Sequence, residues 1–405
     1  MGRKNLMQLR ALVRRNAVVL TFYKGTPFAA EHKEAAQVRI LRREEPDFIF
    51  GESYAEFFDG LTAADAEVVF EDLLAVHNGR KFTFIDDTVE VGRVYVYWAQ
   101  LCDDTDSVGP VAVKVRDQAV WWPYETVRER LDALAAHSPL VEVCEFGRSV
   151  RGVPMVGALA GNRERMVAFV GAVHAGESGP ELLVPALERL ALEAPELLEK
   201  VGMAVFPTVD VDAREDNVRG TPWYLRTNAN GVDLNRNFDA DWLEIALGYG
   251  LDSSDPDAAT YRGPAPHSEP ETGAVVKFVE GCRPCAVFCC HCLASICGDT
   301  FLVSQVAKED TAFCAEATTL ASAYAGGMYP EREGEASLTF GCSSGSLPHW
   351  LYRKGIPAFD LELGTNEDAR PCIRDETTPE LLAVYQERHA AGIRRVLEHF
   401  ATRAD

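Results

Sequence analysis

The pattern of apolar and turn residues changes near residue 120, and this change constrains the fold more than any other feature. Before it, short β-branched or aromatic runs are separated by turn residues; after it, apolar strand-like runs alternate with helix-periodic segments. The first pattern is typical of an all-β sandwich, and the second of a sheet layered with helices. Since 405 residues exceed what one core usually organises, we predict a β-sandwich domain over 1–120 and an α/β domain over 121–405.

The expected strands of the first domain are short, partly alternating, and rich in β-branched and aromatic residues. They are Val18–Tyr23, Ala36–Leu41, Lys81–Ile85, Arg93–Trp98 and Val111–Val115. Residues 1–15 are basic and carry no acid, so we interpret them as a basic tail or short helix. Residues 59–78 are interpreted as an insertion, for which a helix is one option.

The second domain alternates strands with helices. Strands are expected at Val141–Phe146, Val156–Ala160, Met166–Val173 and Gly202–Val209, and helices at Tyr124–Ala136 and Pro180–Glu193. In such sheets, ligands gather at the carboxyl ends of the strands. Residues that directly follow a strand are therefore the first candidates for function.

The composition excludes several classes of function. A net charge of −22 repels phosphate backbones, so we expect no nucleic-acid partner. No apolar run approaches the roughly 20 residues that cross a bilayer, and the basic start lacks the apolar core and cleavage site of a signal peptide. We therefore expect no membrane partner and a cytoplasmic location.

Cysteine usage points in the same direction. The chain has 11 cysteines, an odd number, and six of them lie between Cys282 and Cys297, whereas disulfide frameworks are even in number and spread through small domains. We interpret the cluster as buried strand cysteines in a reducing compartment. A second zinc site that begins with Cys282 and Cys285 is the alternative.

Two groups of residues suggest chemistry. The apolar strand before His174 ends there, and Glu177 follows three residues later; such a pair can turn a nitrogen and a carboxylate oxygen toward one zinc ion. Alone, the pair is more typical of an acidic helix N-terminus. Residues 226–238 add two arginines, several amides and an aspartate, a composition suited to binding a substrate carboxylate.

Four separated motifs resemble the zinc carboxypeptidases of the carboxypeptidase A/B type. In chain order they are His174-x-x-Glu177, Gly231-Val-Asp-Leu-Asn-Arg-Asn-Phe238, Tyr261-Arg-Gly-Pro-Ala-Pro-His-Ser-Glu-Pro-Glu-Thr272 and Ala358-Phe-Asp-Leu-Glu-Leu363. The resemblance covers about residues 121–400 and implies a phosphorylase/hydrolase-like α/β fold, with a mixed, mostly parallel sheet flanked by helices. In the first domain, residues 82–97 resemble the late strands of fibronectin type III modules.

The resemblance implies one zinc ion per chain, held by His174, Glu177 and a third ligand. His291 is the candidate, because it ends an apolar strand and keeps the family's order of ligands. His267 is nearer to the first pair but lies in a loop-like stretch between prolines and acids. Asp233 matches the residue that hydrogen-bonds the first ligand histidine and fixes its tautomer.

The implied activity is a carboxypeptidase that removes one residue from the free carboxyl end of a peptide. Glu362 matches the family's general base, and Arg226 would polarise the scissile carbonyl. Asn235 and Arg236 would bind the terminal carboxylate of the substrate. The family's pocket tyrosine has no counterpart, because phenylalanine and glycine occupy residues 340 and 341.

Strand geometry adds an expectation about Asp360. It lies two residues before Glu362, so both side chains share one face of the strand. We therefore expect Asp360 to line the same cavity and to select a cationic side chain in the substrate. The alternative is that backbone amides satisfy Asp360 or that it turns toward a neighbouring loop.

Three other functions remain open at this point. The same site could cleave a different amide, in a cell-wall stem peptide, an acylated amino acid or a side-chain-linked glutamate. The motif Gly341-Cys-Ser-Ser-Gly345, with Asp360 or Asp368 and then His389, formally fits a serine hydrolase. The third is an inactive module that only binds peptides.

Overall fold

The computed structural model describes residues 6–24, 35–46, 57–58, 60–77, 81–102, 107–177, 179–221, 226–243, 253–291, 300–331, 336–362 and 377–403. The chain divides into two compact units. The first is Met1–Trp121 with Asp216–Tyr224, and the second is Trp122–Glu215 with Leu225–Asp405. The division after Trp121 lies where the pattern of apolar and turn residues changes. No sequence pattern indicated that Asp216–Tyr224 belongs to the first unit.

The described part of the first unit contains seven antiparallel strands. They are β1 (Leu6–Arg14), β2 (Ala17–Lys24), β3 (Ala35–Glu45), β4 (Glu67–His77), β5 (Lys81–Asp86), β6 (Val94–Leu101) and β7 (Ser107–Lys114). They are hydrogen-bonded in the order β1-β2-β5-β4-β3-β6-β7. One apolar core takes side chains from all seven of these strands, β4 contributing Val76, so the two ends of the sheet share the same interior.

Two predictions for this unit are wrong. The described part of the basic N-terminal stretch, from residue 6, is neither a tail nor a helix: it forms β1, which pairs with β2, because Ala11 and Val13 enter the core while Arg10 and Arg14 are exposed. The segment 59–78 contains β4, which lies between β3 and β5. Its only described helix is the single 3₁₀ turn Ala63–Asp65. A separate β unit is present, and its likeness to a fibronectin type III module stays a prediction.

The second unit is a mixed α/β layer. Its strands are β8 (Val141–Arg148), β9 (Pro154–Ala160), β10 (Met166–Gly171), β11 (Gly202–Phe206), β12 (Ala286–His291), β13 (Thr300–Ser304), β14 (Leu338–Cys342) and β15 (Ala358–Glu362). Its helices are α1 (Tyr124–His137), α2 (Pro180–Glu193), α3 (Pro195–Lys200), α4 (Val211–Val218), α5 (Pro270–Cys282), α6 (Thr311–Met328), α7 (Leu347–Tyr352) and α8 (Pro379–Thr402). The four strands and two helices that the sequence predicted here are confirmed, with ends shifted by a few residues.

The sheet of this unit has the order β14-β13-β15-β12-β10-β11-β9-β8. Neighbours β11, β10, β12 and β15 are parallel, as are β13 and β14; the contacts of β13 with β15, of β11 with β9 and of β9 with β8 are antiparallel. The central strands are buried along their whole length, as expected for a sheet covered on both faces. The parallel centre brings the carboxyl ends of β10, β12 and β15 to one edge.

A polar network lies beside the core of the first unit. The buried carboxylate of Asp86 accepts hydrogen bonds from Tyr97 Oη at 2.9 Å, Thr88 Oγ1 at 2.7 Å and Arg42 Nη1 at 2.9 Å. Burial alone would raise the pKa of Asp86, but the hydrogen bonds of Thr88 and Tyr97 and the charge of Arg42 outweigh it and lower that pKa. The network therefore stabilises the ionised carboxylate and, with it, the folded unit.

We predict that Asp86→Asn lowers the stability of the first unit at pH 7 by about 3 kcal/mol, because the positive charge of Arg42 loses its buried partner. A depressed folded-state pKa contributes stability that is complete above the unfolded value, near 4, and is lost as the pH falls below it. We therefore expect the difference between the melting temperatures of the two proteins to become smaller as the pH is lowered from 7 to 3. A difference that stays constant over this range would contradict this account.

Candidate active site

Three neighbouring strands place the predicted site residues at one edge of the sheet. His291 and Glu362 are the last residues of β12 and β15 and are paired in register. His174 follows the end of β10, whose Gly171 pairs with the residue before His291. This is the edge where ligands bind in parallel sheets.

His174, Glu177 and His291 form one buried group whose ligand atoms lie within 4.8 Å of one another. Glu177 lies between the two rings: its Oε1 is 3.0 Å from Nδ1 of His174, and its Oε2 is 2.8 Å from Nδ1 of His291. Apart from that imidazole, no group in the described part of the chain donates to the buried Oε2. Two imidazoles and a carboxylate are a donor set that zinc accepts, so these residues fit the expected metal.

The alternative ligand His267 lies elsewhere. Its Nε2 accepts a hydrogen bond from the backbone of Asp239 at 3.0 Å, and its ring packs edge-on against Phe238 and Trp350. Among the described residues it joins no metal-binding group. His291 is thus the histidine that the fold brings to the first pair.

Asp233 and Arg226 support the first histidine. Nε2 of His174 lies 3.0 Å from Oδ1 of Asp233, and Arg226 Nε donates to the other oxygen, Oδ2, at 2.8 Å. The carboxylate fixes which nitrogen of His174 carries the hydrogen and leaves Nδ1 for a metal. Asp233 is fully buried, and the Asx-type turn that presents it is closed by the backbone N–H of Asn235 at 3.0 Å.

The field at this edge favours a cation. Burial alone would raise the pKa of Glu177, but the two imidazoles lower it well below its usual range. Burial alone would lower the pKa of His291, yet the negative charges of Asp360 and Glu177 raise it well above its usual value. A field that favours a proton on a buried imidazole also favours a divalent ion at the same place.

Asn235 and Arg236 lie in the 3₁₀ turn Leu234–Arg236, beside this group. The side chain of Asn235 is engaged at both ends: Nδ2 donates to Asp360 at 2.9 Å, and Oδ1 accepts from the backbone of Leu347 at 2.9 Å. Arg236 Nη1 donates to the carbonyl of Asn235 at 2.8 Å. Both residues are buried, so the loop that carries them is fixed by its own contacts.

A turn after β14 packs directly on this loop. Gly345 has a φ of +70°, and a Cβ there would lie 2.2 Å from the carbonyl oxygen of Arg236. Its carbonyl accepts from Phe238 N at 2.9 Å, and its N–H donates to Ala240 at 2.8 Å. Only glycine fits this backbone and this approach, which explains the glycine of the Ser-Ser-Gly-Ser stretch.

The structure places Asp360 against the metal group. Its Oδ1 lies 3.2 Å from Nε2 of His291, and its Oδ2 accepts from Asn235 and, at 3.5 Å, from the thiol of Cys342. The carboxylate is buried among these partners. A role in selecting a cationic substrate side chain stays a prediction, and the contacts give Asp360 a different set of neighbours from an open cavity.

Sequence reasoning missed a residue that fixes the loop carrying His174 and Glu177, which we call the metal loop. Arg214, on α4, is fully buried and forms an ion pair with Glu181. Its Nη1 donates to the carbonyls of Ala175 at 3.0 Å and Glu177 at 2.8 Å. At the top of the same loop, a Cβ on Gly171 would lie 2.5 Å from Gly179 Cα. The acidic run around Arg214 gave no signal of this role.

The residues of the serine-hydrolase alternative are not brought together. Ser343 Oγ is buried and makes no hydrogen bond to any described residue, and His389 Nδ1 pairs instead with Tyr324 Oη at 2.8 Å. Asp368 lies outside the described residues. Another Ser–His–Asp chain exists, Ser304–His349–Asp241, but Ser304 is fully buried. A serine there could not reach a substrate, so we read this chain as structural.

The cysteines that the structure describes are free thiols. They are Cys102, Cys144, Cys282, Cys285, Cys289, Cys290, Cys314 and Cys342. Cys289 and Cys290 are core residues of β12, and burial raises the pKa of Cys282 to about 12. Within the described chain, neither Cys282 nor Cys285 belongs to a metal-binding group; Cys292 and Cys297 lie outside it.

Comparison with known proteins agrees with the geometry of the site. The family model described as zinc carboxypeptidase matches residues 127–374. Human carboxypeptidase A6 is 29% identical over 254 residues, 56% of each chain. Murein peptide amidase A of Escherichia coli is 34% identical over 152 residues, 36% of this chain and 57% of that protein. The crystal structure of carboxypeptidase A from Helicoverpa armigera superimposes with a TM-score of 0.60 at 17% identity, covering 72% of this chain and 76% of that one.

The chain belongs to the zinc carboxypeptidase family, because the family model spans more than half of it. It covers a little over half the length of the curated relatives named above. The solved structure shows that the α/β fold is shared. Within the described ranges, no helix combines the length and the apolar composition needed to cross a bilayer.

We predict that the native protein binds one zinc ion per chain and that His174→Ala or His291→Ala abolishes its binding, because each removes one of three ligands. Metal content after dialysis, measured by mass spectrometry, checks this. The matched control is His267→Ala in the same unit, which should keep its zinc. Full zinc occupancy in His291→Ala would show that this histidine is not a ligand.

Proposed function

We propose that this protein is a zinc-dependent carboxypeptidase that hydrolyses the last peptide bond of a substrate with a free carboxylate. One observation carries the proposal: Glu177 lies between Nδ1 of His174 and Nδ1 of His291 at the strand edge, with Glu362 next to His291 in register. A metal-binding triad and an adjacent carboxylate are the two parts that hydrolysis of an amide requires. The family to which the chain belongs supports the same assignment.

Glu362 is the general base in this proposal. It ends β15 and is almost fully buried, in a setting where a carboxylate is costly unless it has a function or partners. A zinc ion held by the triad would act as a Lewis acid that polarises the scissile carbonyl and acidifies water at neutral pH. Glu362 takes the proton of the attacking water and delivers it to the nitrogen of the leaving amino acid.

Arg226 and Arg236 provide positive charge on the substrate side. Arg226 is held by Asp233, and in this proposal its guanidinium donates to the oxygen that becomes negative during attack. Arg236 binds the terminal carboxylate, for which a guanidinium offers a two-pronged donor. Asn235 holds the base of this loop, since both ends of its amide already have partners. The substrate partner is then a peptide with a free carboxyl end.

A second candidate uses the same site on another amide. It is favoured by the identity shared with murein peptide amidase A, whose name refers to a cell-wall peptide. Attack and proton transfer would be unchanged, and only the residues that shape the substrate pocket would differ. The free thiols support the expected reducing compartment for either activity.

We predict that Glu362→Gln keeps its zinc and loses turnover by about 100- to 10,000-fold, the usual contribution of a general base. Metal content and kcat on the best peptide of the screen described next are measured together. Glu398→Gln, at a partly exposed glutamate on α8 of the same unit, is the control and should retain both. A variant Glu362→Gln with normal turnover would remove this residue from the mechanism.

We expect the zinc-loaded protein to release single C-terminal residues from short peptides. The screen uses one peptide and varies only its last residue. Two further sets of substrates are tested in parallel: in one the carboxyl end of the peptide is amidated, and in the other the last residue is joined through a glutamate side chain. Release is followed by mass spectrometry. Preference for the substrates joined through a glutamate side chain selects the amidase, and bound zinc without turnover of any substrate selects the inactive binding module.

A further inference from the structure

The second histidine of the metal group also has a carboxylate behind it. On His174, Nδ1 faces Glu177 and Nε2 faces Asp233. On His291, Nδ1 faces Glu177 and Nε2 lies 3.2 Å from Oδ1 of Asp360. The two rings are thus arranged alike, each between the shared Glu177 and an aspartate of its own.

The surroundings of Asp360 suit a role toward the ring. Asp360 is paired in register with Cys289, two residues before His291, so the carboxylate lies beside the inner edge of the imidazole. Its Oδ1 is buried, and apart from the imidazole at 3.2 Å no group in the described chain donates to it. The Sγ of Cys289 also lies 3.3 Å from Nε2, but a thiol is a weak acceptor compared with a carboxylate.

We propose that Asp360 is a positioning residue of the metal centre: it accepts the Nε2 hydrogen of His291 and so presents Nδ1 of that ring to the metal, as Asp233 does for His174. The inference rests on the proposed zinc function, but it concerns how the ion is held and not which bond is cleaved. Such partners of ligand histidines typically change metal affinity by about 10- to 100-fold when they are removed.

The other carboxylate oxygen of Asp360 connects it to the loop that carries Asn235 and Arg236. Oδ2 of Asp360 accepts from Nδ2 of Asn235, and Oδ1 of Asn235 accepts from the backbone of Leu347, the first residue of α7. The orientation of the Asn235 amide is therefore fixed. Asp360 has to accept on both oxygens, once from His291 and once from Asn235.

This double demand makes Asp360→Asn a sharp test. An asparagine has the same shape but only one acceptor oxygen, so it cannot serve both donors. We expect zinc to be lost to a chelator about 10- to 100-fold faster from Asp360→Asn than from the wild type. The benchmark is Asp233→Asn, which removes the equivalent contact on His174. The matched control is Cys342→Ala, which removes another partner of Asp360 and leaves His291 untouched.

The readout is the rate of zinc transfer to a chromogenic chelator, with no substrate present, so a failure of the proposed peptidase activity does not affect it. Near-ultraviolet circular dichroism of the zinc-free proteins reports whether each variant remains folded. Release at the wild-type rate from Asp360→Asn overturns the proposal. Equally fast release from Cys342→Ala overturns it as well, because the effect would then come from packing.

Two measurements on the wild-type protein keep the proposal testable if Asp360→Asn does not fold. In the zinc-loaded protein with ¹⁵N-labelled histidine, we expect the Nε2 of His291 to carry a hydrogen; a bare Nε2 overturns the proposal. Metal analysis should give one zinc per chain. Two would assign Cys289, His291 and Asp360 to a second ion, since their ligand atoms also lie within 4.8 Å, and would overturn the positioning role.

Discussion

The parallel alignment of β10, β12 and β15 is the constraint on which the active site depends. Their register places the residue after one strand and the last residues of two others at a single edge. Parallel strands need crossover connections, so the residues that meet there are far apart in sequence. A shift of one residue in any of these strands would turn its site residue to the opposite face.

Charge compensation is the second requirement of this edge. Several ionisable groups are buried within it, and each has a partner of opposite charge or a hydrogen-bond donor: Asp233 has Arg226 and His174, and Glu181 has Arg214 beneath the metal loop. Unpaired buried charges would destabilise the fold by several kcal/mol each. Glu177 Oε2, which is buried and lies 2.8 Å from Nδ1 of His291, is one of the atoms expected to contact the metal.

Much of the fold could be read from periodicity. The helix over Pro180–Glu193 is confirmed residue for residue, because its apolar spacing and N-terminal proline agree with each other. The first strand was missed, since five basic residues in the opening stretch hide the alternation that places Ala11 and Val13 in the core. Strand β4 was missed because its residues alternate weakly and most are exposed. Charge and exposure weaken the local signal even where pairing with neighbours is decisive.

The amino-acid sequence alone was enough to predict the family and the residues of the metal group, because zinc accepts few ligand types and the motifs that supply them are short and ordered. Contacts between residues that are far apart in the chain became visible only in the tertiary structure. It turned Asp360 toward His291 and Asn235, set Arg214 under the metal loop, and separated Ser343 from His389. Each of these outcomes depends on which strands and helices become neighbours. The position of a residue on a strand predicts which face of the sheet its side chain lies on, but it does not predict which residue the fold places next to it.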